Sequence, residues 1–331
     1  MKHLEDNLYA IVADIGGTFA RFGRVNLDNL HVDRIEIYSC AEFITFETAL
    51  LTYQAQNSLQ AIKHIAIAIA CPVMNDLVCM TNNHWRFSIQ DVQNRLGLSK
   101  LKVMNDFTAI AMSLPALKPH EQTQIGKGHL DVHKPRVVLG AGTGLGVAYL
   151  IPNPHGYKAY AGEGGHVSWG AQNEQEWFIY SYLKNNYMHV SYERLLSGQG
   201  LENLYQAIAA YHHQKVASKS AAQIITLALN NECTIAKATI EQFFATMGGY
   251  AGDLALTFGA LGGVYIAGGI APRLLSLISH TEFRSRFEDK GRFGVFNALI
   301  PTYIITAAQP GILGAAVCLK QSLIGVSDVT Y

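Results

Sequence analysis

Read from the amino terminus, the chain alternates short apolar runs with glycine-rich turns and segments of helical period. Leu8 to Asp14 is an apolar run of strand-favouring residues, Gly16-Gly17 follows it, and Ala20 to Asn26 and Arg34 to Cys40 read as two further strands. Together they predict a small antiparallel meander. Phe46, Leu50 and Tyr53 stand at i, i+4 and i+7 within Thr45 to Asn57, the spacing of one helix face. His64 to Cys71 is apolar almost throughout and predicts a fully buried strand closed by Pro72. Ser88 then caps a helix, Ile89 to Leu96, that Gly97 stops. The next strand, Leu101 to Met104, delivers Asn105-Asp106 to its carboxyl end. Strands alternating with helices in this way predict α/β architecture.

Between residues 115 and 135 the periodicity lapses into Pro115, Pro119, Gly126, Gly128 and Pro135, which predicts a domain boundary. Val137 to Leu139 then runs into Gly140-Ala-Gly142-Thr143-Gly144-Leu-Gly146, and Val147 to Ile151 returns. Each half therefore places a glycine turn with a threonine between two short strands, which suggests an internally duplicated fold. From Asn173 to Phe258 the pattern is mostly helical, Gly263 to Ala267 is a strand ending in Gly268-Gly269, and Thr302 to Thr306 is the last strand. Pro310-Gly311 opens a final helix to about Gln321 that could pack back on the first domain.

Length and charge narrow the functional classes. At roughly 150 residues per domain, 331 residues give about two domains. Lys plus Arg and Asp plus Glu are each 25, so the chain lacks the basic field that draws a protein to nucleic acid or anionic membrane. The densest cationic stretch, Phe283 to Arg292, is interleaved with Glu288 and Asp289 and is expected to be a solvated face. With 49% hydrophobic and 15% charged residues the composition is opposite to that of a disordered chain. Five cysteines with no C-x-x-C pair argue against a disulfide framework or zinc knuckle and suit a reducing cytoplasm. Met1 to Asn7 has no apolar leader pattern. Two long uncharged stretches, 137–157 and 254–272, each carry five glycines and a proline, so neither reads as a membrane helix.

Five segments carry candidate chemistry. In Asp14-Ile15-Gly16-Gly17-Thr18 the glycines admit an anion to backbone N–H groups, the threonine adds a hydroxyl, and the aspartate could hold Mg²⁺ through water. An ordinary hairpin turn would look the same. The Gly140 to Gly146 segment alternates glycines, which on a strand-like ribbon would lie on one face. Its spacing fits neither a Rossmann turn nor a P-loop. Gly268-Gly269, between a strand and Pro272 at a helix start, could receive phosphates or a base, and three such turns favour a nucleotide.

Asp106, at a strand's carboxyl end, could take a proton from an attacking hydroxyl, or could simply cap the helix that continues through Met112. Gly162-Glu163-Gly164-Gly165-His166 has the E-x-x-H spacing of a metal helix, but its interior glycines oppose a helix and no cysteine completes a zinc site. A flexed loop presenting a carboxylate and an imidazole suits a polyhydroxylated ligand. Glu193 could extend that site, or could follow a Ser191 cap at the positive end of a helix dipole.

Taken in order, Ala13-Asp-Ile-Gly-Gly-Thr18, Ile67-Ala-Ile-Ala-Cys-Pro72, Met104-Asn-Asp-Phe-Thr-Ala109, Gly140 to Val147, Gly162 to His166, Leu196-Ser-Gly198, Gly263 to Ile270 and Phe287-Glu-Asp-Lys-Gly-Arg-Phe293 resemble the bacterial ATP-dependent glucokinases, the group distinct from the repressor and open-reading-frame kinases. The resemblance implies an α/β, duplicated ribonuclease H-like (actin-like ATPase) two-domain sugar kinase fold with a central cleft. It implies a small domain of residues 1–116 plus 308–331 and a large domain of residues 117–307. The reaction it implies converts glucose and ATP to glucose 6-phosphate and ADP.

Carried over by position, Asp106 becomes the general base, and Asn105, Glu163, His166 and Glu193 join it as sugar ligands. Ala13, Asp14, Ile15, Gly16, Gly17, Thr18, Gly142, Thr143, Gly144, Gly268 and Gly269 cradle ATP, with Mg²⁺ held by Asp14 through water. A cytoplasmic homodimer without structural zinc, nucleic acid or membrane completes the expectation. The family pattern has asparagine after Gly-Gly-Thr, where this chain has Phe19, which offers no amide.

Overall fold

The β-branched apolar runs become strands and the longer-period segments become helices. The structure is a computed structural model and describes residues 8–325 and the two-residue strand at 329–330. The expected absence of a leader at residues 1–7 lies outside the described residues. Strands β1 (Tyr9–Ile15), β2 (Phe19–Asn26) and β3 (Val32–Ser39) form the antiparallel meander. Helix α1 (Phe46–Gln56) starts at a reciprocal Thr45–Thr48 capping box and turns Phe46 and Tyr53 onto Phe22, with ring centroids 6.4 and 5.3 Å away. Next come β4 (His64–Ile69), a small hairpin of β5 (Leu77–Cys79) and β6 (Arg86–Ser88), α2 (Ile89–Arg95), β7 (Lys100–Asn105) and α3 (Asp106–Ser113).

β4 is parallel to both β1 and β7, giving the order β3-β2-β1-β4-β7. That central placement explains its sequence: Ile65 to Ile69 are all fully buried, as a parallel strand covered on both faces must be. The β5 and β6 strands are only three residues each, too short to write an apolar run that periodicity detects.

The second sheet contains β8 (Gln122–Ile125), β9 (Arg136–Ala141), β10 (Leu145–Asn153), β11 (Gly156–Gly162), β12 (Val264–Ala267), β13 (Thr302–Ile305) and β14 (Val329–Thr330), in the order β14-β11-β10-β9-β12-β13-β8. Its helices are α4 (Glu174–Lys184), α5 (Gly198–Tyr211), α6 (Ala221–Leu229), α7 (Thr234–Phe258), α8 (Leu275–Ile278), α9 (Phe283–Glu288) and α10 (Gly294–Ala298), and α11 (Pro310–Leu323) ends the helical part of the chain. Among the described residues no helix is long and apolar enough to cross a membrane.

The chain divides into two compact units. The first comprises the chain up to Lys118, Ala148–Ala161 and the chain from Ala307, and the second comprises Pro119–Val147 and Gly162–Thr306. Segment 148–161, which the expected boundaries put in the large domain, belongs to the first unit. Within that unit the Gln321 side-chain amide of α11 donates to the Tyr157 carbonyl at 2.9 Å and accepts the Tyr157 N–H at 3.1 Å. In the same unit α11 lies directly on α3, where a Cβ on Gly314 would fall 1.6 Å from the Ala109 carbonyl oxygen.

In the second unit the stretch 283–292 is not the solvated face that its charge pattern predicts. Phe283 and Phe287, at i and i+4, are fully buried, and this draws the neighbouring arginines inward. Arg286 makes a two-point pair at 2.8 and 3.2 Å with Glu176, which has no exposed surface, and Gln242 donates to the same carboxylate at 3.0 Å. Arg284 donates to the carbonyls of Asn297, Ala298 and Ile300.

Candidate active site

The first unit brings together Asp14 with its glycine turn and Asn105 with Asp106. β1 ends at Ile15, and the Gly16 N–H closes the turn on the Phe19 carbonyl at 2.9 Å. The turn therefore closes through backbone, and Phe19, half exposed, does not need an amide to form it. Ala13 and Ile15 are fully buried and paired within β1 to both β2 and β4, so of the residues expected to cradle ATP these two present no exposed group. Burial raises the Asp14 carboxyl above its ordinary value, and Arg21, its partner across the β1–β2 ladder, opposes that shift.

β7 delivers Asn105 to the head of α3, and here the structure corrects the expected cap. Asn105, not Asp106, is the N-cap: its side-chain oxygen accepts the N–H groups of Phe107 at 3.0 Å and Thr108 at 3.2 Å. Its amide nitrogen donates to Asp106 Oδ1 at 2.9 Å, and the Phe107 N–H donates to the same oxygen at 2.9 Å. Asp106 is thereby oriented rather than spent on capping. Burial pushes its carboxyl up to about 6, the Phe107 N–H works against this, and the nearby Asp14 charge adds to it. A carboxylate so tuned is a competent base near neutral pH.

The second unit brings together Glu163, His166 and Glu193 beside two glycine turns. Residues 140–146 are not one ribbon: Gly140 lies in β9 and Gly146 in β10, with a tight turn at Gly142-Thr143-Gly144 in which the Gly142 N–H meets the Gly144 carbonyl at 2.8 Å. The chain reverses there because two adjacent β-strands must join. Gly268-Gly269 follows β12, which is parallel to β9 with Ala267 opposite Gly140, so both turns leave neighbouring strands at their carboxyl ends.

Gly164 to His166 is a single 3₁₀ turn. His166 Nε2 is 4.0 Å from Glu163 Oε2, and Nδ1 is 3.9 Å from Glu193 Oε1. Glu193 lies in the 3₁₀ turn Tyr192–Arg194, whose leading Ser191 makes no side-chain cap. Its Oε2 accepts the Leu145 N–H at 2.9 Å, which links it to the glycine turn and replaces the expected dipole role. Among the described residues no group of three or more His, Cys, Asp or Glu could hold a metal ion.

Sequence reasoning missed the supports behind these groups, Tyr192, Asp253 and Lys290 and the pair Arg286–Glu176. Their signal was present only in part, as the Phe287 to Phe293 motif.

The chain is similar to known proteins along nearly its whole length. A family model described as Glucokinase matches residues 11–322. The chain is 44% identical over 317 residues to a glucokinase of Photorhabdus laumondii, covering 96% of this chain and 98% of that protein. A crystal structure of glucokinase from an Antarctic psychrotroph is similar with a TM-score of 0.87 at 34% identity, covering 94% of this chain and 98% of that one. A ROK family glucokinase from Streptomyces griseus, crystallised with glucose and AMPPNP, shares the fold with a TM-score of 0.63 at 19% identity over 93% of this chain and 98% of its own. Matched along nearly its whole length, the chain belongs to the glucokinase family.

Proposed function

We infer that the protein is an ATP-dependent glucokinase, transferring the γ-phosphoryl group of ATP to the 6-hydroxyl of glucose. The observation that carries the chemistry is the Asp106 carboxyl, oriented by Asn105 and Phe107 and raised to about 6. Asp106 takes the proton of the 6-hydroxyl as its oxygen bonds to the γ-phosphorus and the bond to ADP breaks. Asn105, Glu163, His166 and Glu193 hold sugar hydroxyls, a mixture of donors and acceptors suited to a polyol. The turns at Gly17-Thr18, Thr143-Gly144 and Gly268-Gly269 offer backbone N–H groups to the nucleotide.

Asp14 fits a water-mediated contact to Mg²⁺, because burial leaves its carboxylate in want of positive charge. Bound with ATP, the ion neutralises charge on the transferring phosphates. The order β11-β10-β9-β12-β13 repeats β3-β2-β1-β4-β7 position for position, which supports a duplicated ribonuclease H-like fold with small and large domains as the family resemblance implies. Five cysteines, three of them buried, support a reducing, cytoplasmic setting, and the homodimer rests on the resemblance alone. A sugar-responsive regulator is the less favoured reading, since regulation needs no tuned base.

A coupled assay of the purified protein tests this. Glucose 6-phosphate should form only with both glucose and ATP present, and its absence would reject the enzyme. Glu163→Gln is expected to raise the glucose KM about tenfold and leave the ATP KM unchanged, because one charged hydrogen bond to sugar is weakened. Initial rates against each substrate check it.

A further inference from the structure

The loops carrying Glu163, His166 and Glu193 are joined to each other before any ligand arrives. Trp169 N–H donates to the Val190 carbonyl at 3.0 Å and Tyr192 N–H to the Val167 carbonyl at 3.1 Å, around a Ser168–Ser191 bridge. The Tyr192 ring, almost fully buried, stacks on Tyr250 at 4.1 Å, and its hydroxyl donates to Asp253 Oδ2 at 3.0 Å. Lys290 Nζ holds the other carboxylate oxygen at 2.8 Å. Burial and the Asp253 charge push the Tyr192 phenol well up, so it stays a donor. The Tyr250 hydroxyl, buried and without a hydrogen-bond partner, lies 2.5 Å from where a Cβ on Gly164 would stand, so the same stack reaches the Glu163–His166 turn from beneath. A polar recess of about 360 Å³, lined by Trp169, Tyr192, Asp253 and Lys290 among others, leaves room beside the Tyr192 ring.

We propose that Asp253, braced by Lys290, is a positioning residue that fixes Tyr192 and through it the carboxylate of Glu193 and the imidazole of His166 for the sugar. Tyr192 begins the 3₁₀ turn that bears Glu193, and its carbonyl accepts the N–H groups of Leu195 and Leu196 at 3.0 and 2.8 Å, so a shift of Tyr192 moves the whole turn. None of the three residues needs to touch substrate. The proposal rests on the glucokinase reading only in taking glucose as the ligand.

The test uses Asp253→Asn, Tyr192→Phe and the double variant in the full chain, with glucose affinity measured by calorimetry as well as by kinetics. Each single variant should weaken glucose binding and raise its KM by about tenfold. The double should do no worse than the singles, and the ATP KM should stay within about twofold. The penalty for deoxyglucoses relative to glucose should shrink for at least one ring position, which a merely structural loss would not cause. Tyr192→Phe keeps the ring and its stack, so it remains informative if Asp253→Asn folds poorly. Folded variants with parental glucose affinity, additive losses, or equal losses for ATP and for every sugar would overturn the positioning role. A parent that binds glucose without phosphorylating it would overturn the enzyme alone, provided the variants still weaken binding.

Discussion

Asp106→Asn is expected to lower kcat by about 10²- to 10⁴-fold, the range that a positioned general base contributes. Glucose affinity should change far less. Asparagine keeps the shape of the side chain and one oxygen to accept from Asn105 and the Phe107 N–H, so the head of α3 stays formed while proton acceptance is lost. In the parent, kcat/KM should fall about tenfold per pH unit below about 6, because the base must be ionised in the free enzyme and its carboxyl is raised to about 6. The same shift fixes a stability trend. A carboxyl raised from 3.8 binds its proton more tightly in the folded chain than in the unfolded one. Its favourable contribution is complete below about pH 4 and is lost as pH rises through about 6. Asparagine carries no ionisation penalty, so the variant should gain in unfolding midpoint relative to the parent as pH rises from 4 to 7 and hold that gain at pH 8. Steady-state kinetics across pH and thermal denaturation at pH 4 and 8 check both halves. A variant that keeps a tenth of the parental kcat removes Asp106 as base, and a midpoint difference independent of pH removes the buried charge.

How much of this was legible in the sequence follows from how local each signal is. Asp14 to Thr18 and Asn105-Asp106 could be read directly, because an apolar run broken by glycine or by a polar pair marks a strand end without help from the rest of the chain. β4 was legible for the same reason, since a strand buried on both faces writes its position as an unbroken apolar run. The division of labour between Asn105 and Asp106 was not, because either residue type caps a helix and only the backbone geometry decides. The proximity of His166 to Glu193 depends on a bridge between residues 168 and 191, and Arg286 meets Glu176 across 110 positions. Such pairings leave no periodic trace. Charge counting misread residues 283–292 because it treats arginine as solvent-seeking, whereas a guanidinium with buried carboxylate and carbonyl partners sits comfortably inside. The final helix shows both sides: Pro310-Gly311 announced its start, yet its partner could be found only from what its small residues touch.

That contact sets the second large effect. Gly314→Ala is expected to destabilise the first unit by about 3 kcal/mol or more, the upper part of the range for overfilling a packed site. The added methyl would fall 1.6 Å from the Ala109 carbonyl oxygen and 2.4 Å from its carbon, and these are backbone atoms of α3 that no rotamer change can move aside. α11 and α3 must separate instead. Both helices serve the candidate site, α3 by carrying Asp106 in its first turn and α11 by bringing Gly311 against the Asp14 carboxyl. At about 2–4 °C per kcal/mol for a unit of roughly 150 residues, the unfolding midpoint should drop by about 6 °C or more. Below that midpoint kcat should fall as well, because separation displaces Asp106 and Asp14, whereas a pure stability effect would leave the folded fraction fully active. Ala315 and Ala316, neighbours on the same helix, already carry the methyl that Gly314 lacks and are fully buried, so helix propensity alone cannot account for the glycine. Calorimetry with rates normalised to folded protein separates the outcomes. An alanine variant as stable as the parent would mean that the two helices can part without cost, and the close seating of α11 on α3 would then not be what holds Asp106 and Asp14 in place.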